Sequence, residues 1–201
     1  INEAGVDMLS LIKQYELPYK FPDEVVAEAK AYGDKIDPSD LPRRRDLRND
    51  IIFTIDGEDA KDLDDAIHVE KLENGNYKLD VHIADVSHYV REKTELDKEA
   101  YLRGTSIYML GRVIPMLPKE LSNGICSLNQ KDDRFAITVL MEINKKGEVV
   151  SSDIQKSVIK VTRRMSYKEI QTILDEIEGA EDKGIFKPKA KQKLLKECEP
   201  Y

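Results

Sequence analysis

The densest group of chemically capable side chains lies between residues 56 and 65, in the sequence Asp-Gly-Glu-Asp-Ala-Lys-Asp-Leu-Asp-Asp. Six acids and one lysine in ten positions give this segment, the acidic loop, a local charge of −5. Carboxylates that lie a few ångströms apart cannot all ionise unless a cation lies among them. Leu63 and Ile67 predict that the loop packs against a core. A bound metal ion is therefore the preferred interpretation, and a solvated acidic turn is the alternative.

The ligand types in the acidic loop indicate which metal it would take. All candidate ligands are carboxylate oxygens, which favours Mg²⁺ or Mn²⁺, leaves Ca²⁺ as an alternative and disfavours Zn²⁺. An EF-hand does not fit, because Lys61 stands where that motif needs glycine and Ile67 stands where it needs glutamate. An excess of carboxylates fits two-metal phosphodiester hydrolysis better, with ions about 3.5–4 Å apart.

The acidic loop lies between segments that have the pattern of β-strands. Residues 51–55 precede it, residues 66–72 follow it, and Asn74-Gly75 is a strong hairpin signal before the alternating strand 77–83. A second hairpin is predicted from strands 135–143 and 149–161, joined by the turn 144–147. The strands therefore account for the centre of the chain.

Helical patterns flank these strands. An amphipathic helix is predicted over residues 5–16, and a second helix opens at Phe21-Pro22-Asp23 and stops at Gly33. Ser166 and Glu169 form a capping box for a helix that is expected to run through Ile177 and to stop at Gly179. A lysine-rich helix is predicted near residues 190–198. Without regular β-α alternation, the fold class is α+β, a mixed or antiparallel sheet flanked by helices.

A polar connector, residues 37–42, leads into the basic run Arg43, Arg44 and Arg45. Such a run is most often a solvated face, and contact with phosphate is the alternative. We expect residues 1–45 to form a helical lead-in with this basic connector, and residues 46–201 to form the main domain.

The composition excludes several classes of protein. The chain has 201 residues, 40% hydrophobic and 35% charged, with a formal net charge of −7. This balance is typical of a globular domain and excludes a wholly basic nucleic-acid binder, although a local basic face stays open. No apolar run approaches the roughly 18 residues of a membrane helix, so no membrane partner is expected.

The cysteines indicate the redox compartment of the protein, and the first residues can be searched for a targeting segment. Cys126 and Cys198 are 72 residues apart and match no metal or redox spacing. We predict two reduced, partly buried thiols in a cytoplasmic protein, and a zinc site is disfavoured by the small number of His and Cys ligands. The first residue is Ile and no targeting segment follows, so we expect a piece of a longer protein.

The acidic loop and several other motifs resemble, in order, those of the ribonuclease II / ribonuclease R family, whose catalytic domain is called RNB. The chain is most similar to the bacterial ribonuclease R members of that family. The similarity spans nearly the whole chain and is carried by residues 5–10, 43–48, 56–65, 82–90, 104–108, 114–128 and 164–169.

The resemblance implies a processive 3′→5′ exoribonuclease that hydrolyses single-stranded RNA to 5′-nucleoside monophosphates, with single-stranded or structured RNA as its binding partner. It assigns the metal-site and catalytic positions to Asp56, Asp62, Asp64 and Asp65, with Mg²⁺ as cofactor and Mn²⁺ as the alternative. It also implies that Tyr108 packs against the nucleotide at the 3′ end. Stacking on an aromatic ring tolerates any base, whereas the spacing of Tyr108 alone favours a core residue.

Other residues in these motifs are interpreted as structural. His82, His88 and Asp85 are assigned no catalytic role, because metal-activated water needs no further general base. Glu58 and Asp59 match the ribonuclease R-like form of the motif but not the metal positions of the family.

The same resemblance implies that the site is incomplete within this chain. Arginine and glutamate residues that contact RNA belong to the second half of the RNB domain, which is expected to follow residue 201. Cold-shock-type OB domains and an S1-type domain are expected outside the chain as well, and any association with RNA-decay machinery or the ribosome would run through them. Residues 46–201 would be the N-terminal portion of the RNB domain, weakly active or inactive alone. The alternatives are a non-catalytic RNA- or metal-binding module with a degenerate acidic loop, and a Ca²⁺-stabilised structural domain.

Overall fold

The computed structural model describes residues 6–109 and 112–183, and it divides the chain into two compact units. The helical unit comprises residues 1–34 and 86–125, and the sheet unit comprises residues 35–85 and 126–201. The sheet unit therefore contains the whole acidic loop, and Tyr108 belongs to the helical unit. The predicted boundary between residues 45 and 46 stays a prediction.

The described chain contains nine strands and five α-helices. The strands are β1 (Arg45–Asp46), β2 (Phe53–Asp56), β3 (Asp65–Lys71), β4 (Tyr77–Ala84), β5 (Ile107–Met109), β6 (Arg112–Ile114), β7 (Asp133–Ile143), β8 (Val149–Lys160) and β9 (Arg163–Ser166). The helices are α1 (Val6–Gln14), α2 (Asp23–Ala31), α3 (Val86–Tyr89), α4 (Glu95–Arg103) and α5 (Tyr167–Lys183). A 3₁₀ segment covers Pro38–Arg43 and a π-helical turn covers Glu120–Ile125. None of the described helices is long and apolar enough to span a membrane.

Seven strands of the sheet unit form one mixed sheet in the order β1-β8-β7-β4-β3-β2-β9. The pairs β1/β8 and β2/β9 are parallel, and the remaining neighbours are antiparallel. This confirms the α+β class and the mixed sheet. The two predicted hairpins are also present, with Gly75 and Gly147 at φ +83° and +82° in their turns.

The sheet curls so strongly that its ends approach each other. From β8 to β9 the row takes five steps between neighbouring strands, which would be about 24 Å in a flat sheet. Only residues 161 and 162 separate these two strands in sequence, and three Cα steps span at most about 11 Å. The sheet is therefore a partly closed barrel, in which Thr162 N donates to Ile52 O at 2.7 Å.

The core of the sheet unit combines apolar and polar side chains. Phe135, Val158 and Ile159 are buried on neighbouring strands. Alternate residues of β3, β4 and β7 bury a row of polar groups on one face of the sheet: His68, Asp80, His82 and Thr138. A buried polar group destabilises a fold unless a partner satisfies it. This row of buried polar groups is therefore a candidate for a functional role.

The helical unit is held together by side chains that join its helices to its loops. The Arg103 guanidinium stacks on Phe21, 3.6 Å from the ring centroid, and donates to Lys20 O at 2.7 Å. Thr94 caps α4, which ends at Gly104 in the left-handed region at φ +70°. These contacts fix α4 and the start of the β5–β6 hairpin that carries Tyr108.

The structure corrects one predicted helix end. Helix α5 begins with the predicted capping box, in which Ser166 N donates to Glu169 Oε2 at 2.7 Å and Glu169 N donates to Ser166 Oγ at 3.2 Å. It runs to Lys183, so the predicted stop at Gly179 is wrong. Glycine inside a helix costs only about 1 kcal/mol relative to alanine, and a growing helix tolerates it. The predicted helix near residues 190–198 lies outside the described residues.

The basic run is also corrected in part, because Arg44 is not solvated. Its side chain is 3% exposed and donates from Nη2 to Asp85 Oδ2 at 2.6 Å. The guanidinium also stacks on Phe135, 3.9 Å from the ring centroid. Arg43 and Arg45 are exposed. Asp85 has the structural role that the sequence predicted for it.

Candidate functional site

The acidic loop joins two neighbouring antiparallel strands, as the sequence predicts. Asp56 is the last residue of β2 and Asp65 is the first residue of β3, and Phe53 pairs with Ile67 between them. Asp62 and Asp64 lie in the connecting segment. The four aspartates therefore gather at one end of this strand pair.

The backbone of the loop is anchored by a buried serine that is not among the predicted site residues. Ser127 is fully buried; its hydroxyl donates to Lys61 O at 2.9 Å and accepts from Leu63 N at 3.1 Å. Leu63 is 1% exposed, which confirms that the loop packs against the core. These contacts therefore fix the backbone on either side of Leu63, where Asp62 and Asp64 lie.

Two further backbone bonds attach the end of the loop to the sheet unit. Leu128 N donates to Leu63 O at 2.9 Å, and Ala84 N donates to Asp64 O at 2.9 Å. Buried backbone groups are nearly always paired, so these bonds leave the loop little freedom to rearrange. The aspartate side chains are positioned by this backbone.

Arg164, on β9, holds the first half of the acidic loop. Its Nη2 lies 3.2, 3.0 and 2.7 Å from the carbonyl oxygens of Gly57, Glu58 and Ala60. Strand β9 pairs in parallel with β2, with Arg164 opposite Thr54, and this register brings the side chain to the loop. Its positive charge also opposes the rise in the pKa of Asp56.

The aspartates act on one another electrostatically. Burial, followed by the charge of Asp65, raises the pKa of Asp56. Burial, followed by the charges of Asp62, Asp65 and Asp56, raises the pKa of Asp64. These four groups thus form one negatively charged cluster, and their assignment as metal ligands stays a prediction.

An unsatisfied atom supports the same interpretation. Asp56 Oδ2 is buried and accepts no hydrogen bond from the described residues. A buried carboxylate oxygen without a partner is costly, and a hard cation is a suitable partner for it. The residues present fit a divalent metal ion ligated by carboxylate oxygens.

Tyr108 lies on β5 of the helical unit, apart from the aspartates in sequence. Its side chain is 70% exposed, so the core interpretation that spacing alone favoured is wrong. An exposed ring can stack on a base, but its assignment to the 3′ nucleotide stays a prediction.

The remaining singled-out residues behave as structural groups. His82 is fully buried, its Nδ1 lies 2.8 Å from Thr138 Oγ1, and burial lowers its pKa to about 4. His88 contacts the ring of Tyr89 edge-on at 4.8 Å. Cys126 is a buried free thiol whose pKa burial raises to about 12. Cys198 lies outside the described residues.

The acids outside the metal positions are exposed. Glu58 forms an ion pair with Lys168 at 3.2 Å, and Asp59 is also exposed on the loop. Asp64 and Asp65 are exposed as well, so exposure does not separate Glu58 and Asp59 from the four aspartates.

A second group of ligand-type side chains was missed from the sequence. Asp50, His68 and Asp80 each offer an atom within 4.8 Å of the others, the one such set among residues 6–109 and 112–183. Burial raises the pKa of Asp80, against the opposing effect of Lys78. Alternation along β3 and β4 is the signal that puts His68 and Asp80 on one face.

Comparison with known proteins assigns the family. A family model described as RNB domain matches residues 44–199. The chain belongs to the RNB domain family. This confirms the resemblance carried by the sequence motifs.

Among named RNB proteins, the chain is 51% identical over 173 residues to ribonuclease R 2 of Lactococcus lactis subsp. lactis (strain IL1403), covering 86% of this chain and 26% of that protein. It is 50% identical over 189 residues to ribonuclease R of Thermotoga maritima, covering 93% of this chain and 27% of that protein. The chain thus spans about a quarter of the length of these relatives.

The fold of this RNB chain also matches a solved structure. RNase R of Mycoplasma genitalium in complex with ribose methylated single-stranded RNA superposes with a TM-score of 0.79 at 31% identity, covering 84% of this chain and 26% of that one. The α+β architecture is therefore that of the matching part of this RNase R.

Proposed function

We propose that this chain supplies the metal-binding part of a processive 3′→5′ exoribonuclease that hydrolyses RNA to 5′-nucleoside monophosphates. The observation that carries the proposal is a cluster of four aspartates in a member of the RNB family: Asp56, Asp62, Asp64 and Asp65. Hydrogen bonds from the side chains of Ser127 and Arg164 to the loop backbone hold this cluster in place. In each cycle water adds to the terminal phosphodiester and the 3′ oxygen of the preceding nucleotide leaves, which releases one 5′-monophosphate.

The four aspartates would hold Mg²⁺, with Mn²⁺ as the alternative, because their ligands are all carboxylate oxygens. When bound, such ions supply an activated water and neutralise charge on the leaving oxygen. Ser127 and Arg164 hold the loop so that the carboxylates stay close despite their repulsion. Positions fixed before substrate arrives reduce the reorganisation that catalysis must overcome.

RNA is the proposed partner, and Tyr108 is its proposed contact in the helical unit. A ring that is 70% exposed can stack on a terminal base of any identity, which suits a general degrader. The net charge of −7 suggests that most of the contact with phosphate is made by residues outside this chain. We propose accordingly that residues 1–201 alone are weakly active or inactive, that the protein acts in the cytoplasm, and that any RNA-decay or ribosome partner binds elsewhere.

The test is hydrolysis of a 5′-labelled oligoadenylate in Mg²⁺ by a chimera. In the chimera this chain replaces the matching 173-residue segment of the Lactococcus lactis ribonuclease R 2. We expect a ladder of single-nucleotide steps from the chimera, its loss in Asp64→Asn, and its retention in Asp59→Asn, which changes an exposed acid of the same loop.

Two results would overturn the proposal. One is full activity of the Asp64→Asn chimera. The other is a chimera that folds and binds RNA without producing a ladder, which would favour a non-catalytic binding module. A ladder from residues 1–201 alone would refute the narrower statement that the site is incomplete in this chain.

A further inference from the structure

We infer that Asp50, His68 and Asp80 form a second divalent-cation site, separate from the acidic loop, for a metal such as Zn²⁺ that accepts nitrogen and oxygen ligands together. The three potential ligand atoms all lie within 4.8 Å of one another. In a tetrahedral zinc site, ligand atoms about 2.0–2.1 Å from the metal lie about 3.4 Å apart. Side-chain rotations of modest size would therefore close the site.

The sheet itself brings the ligands together. His68 on β3 is directly opposite Asp80 on β4 in the antiparallel register, and Asp50 lies in the segment that leads into β2. His68 Nδ1 lies 2.9 Å from Ile51 O, and its Nε2 lies 3.9 Å from Glu70 Oε2. A carbonyl at that distance requires a proton on Nδ1, which leaves the lone pair on Nε2, the arrangement usual for a metal-binding imidazole.

Unsatisfied oxygens indicate that a cation belongs here. Asp80 is fully buried, and apart from the Lys78 ammonium 3.1 Å from Oδ2 its carboxylate oxygens have no hydrogen-bond partner among the described residues. Asp50 Oδ2 is in the same condition. Two carboxylates that face each other in a buried place require positive charge between them.

Lys78 now supplies part of that charge. Its Nζ lies 3.1 Å from Asp80 Oδ2 and 3.6 Å from Asp50 Oδ2, and its side chain is 26% exposed. Lys78 and Asp80 also line a cavity of about 360 Å³, together with Arg45, Ser151 and Asp153. A flexible lysine at the edge of a cavity can withdraw into it and admit a divalent ion.

The proposed site differs from the acidic loop in position and in ligand type. Asp65 and His68 are three residues apart on β3, which corresponds to about 10 Å along a strand, and they face opposite sides of the sheet. An imidazole nitrogen favours Zn²⁺ over Mg²⁺. A metal here would tie the segment before β2 to β3 and β4, and β2 and β3 are the strands that flank the acidic loop.

The experiment is titration of residues 1–201 with Zn²⁺ in an Asp64→Asn background, which weakens the acidic loop as a competing site. Calorimetry gives stoichiometry and affinity, and Co²⁺ in place of Zn²⁺ gives a visible spectrum that reports a nitrogen ligand. We expect one ion to bind, at least tenfold weaker binding in His68→Gln and in Asp80→Asn, and tighter binding in Lys78→Met, which removes the competing ammonium. Mg²⁺ should not displace the Co²⁺.

The lysine variant keeps the inference testable if the ligand variants fail to fold. Lys78→Met should lose thermal stability without metal and regain it with Zn²⁺, because the ion replaces the missing charge. If Lys78→Met is equally stable with and without Zn²⁺, or if His68→Gln binds Zn²⁺ as the parent does, Lys78 is a permanent ion-pair partner and the inference is wrong.

Discussion

The Arg164 guanidinium donates to the Ala60 carbonyl across 2.7 Å, linking residues 104 positions apart in the chain. The same Nη2 atom also approaches the carbonyls of Gly57 and Glu58. One side chain thus fixes the first half of the acidic loop, and its charge reduces the repulsion among the aspartates.

Replacing Arg164 with lysine should loosen this half of the loop. An ammonium at the end of a flexible chain cannot reproduce the planar donor geometry of guanidinium, and a hydrogen bond to a charged group is worth about 1.5–3 kcal/mol. We expect amide hydrogen exchange over residues 57–61 to accelerate about tenfold or more. The matched control is Arg163→Lys, because Arg163 is the next residue along β9 and pairs with Glu169 at 3.5 Å. Equal exchange rates over residues 57–61 in the two variants would show that Arg164 does not hold the loop.

Removing the Ser127 hydroxyl should destabilise the sheet unit. Ser127→Ala leaves Leu63 N and Lys61 O without their partner in a buried place, which costs about 1–3 kcal/mol. Urea unfolding should report this loss in the free energy of unfolding. Ser151→Ala, at an exposed position of β8, should change it by less than about 0.5 kcal/mol. Comparable losses in the two variants would show that the Ser127 hydroxyl does not anchor the acidic loop.

The buried Arg44–Asp85 ion pair should contribute far more to the free energy of unfolding than an exposed ion pair of the same length. Asp85→Asn leaves a guanidinium with 3% exposure without its counter-charge, and breaking a buried pair costs about 3–5 kcal/mol. Asp46→Asn removes a 2.6 Å pair with Arg48 that is half exposed, and it should cost less than about 1 kcal/mol. Urea unfolding of the two variants in parallel measures both losses in the free energy of unfolding. A larger loss in Asp46→Asn than in Asp85→Asn would refute this account of Arg44.

Cys126 should resist alkylation while the protein is folded. Burial raises the pKa of its thiol from 9.0 to about 12, so the reactive thiolate is about a thousandfold rarer than for an ordinary cysteine. In a Cys198→Ser chain at pH 8, iodoacetamide should modify Cys126 slowly in buffer and rapidly in urea, as measured by mass spectrometry. Similar rates in the two conditions would mean that the thiol is accessible.

Local sequence patterns determined several parts of this protein. Asn74-Gly75 and the turn at 144–147 fix two hairpins, and Ser166 with Glu169 fixes the start of α5. The acidic loop between two strands, with Leu63 buried beneath it, was also predicted. These features depend on backbone preferences and on contacts within a few residues, which the sequence states directly. Thr94 and Gly104, which cap the two ends of α4, are local signals of the same kind.

Tertiary structure decided the rest. Ser127 and Arg164 reach the acidic loop from 64 and 104 residues away, and nothing in their neighbouring sequence indicates that destination. Arg44 belongs to a basic run that predicts a solvated face, yet the curl of the sheet buries its side chain against Phe135. Asp50, His68 and Asp80 converge because strand register sets which side chains face each other. Such pairings depend on how distant segments pack, so spacing along one chain does not reveal them.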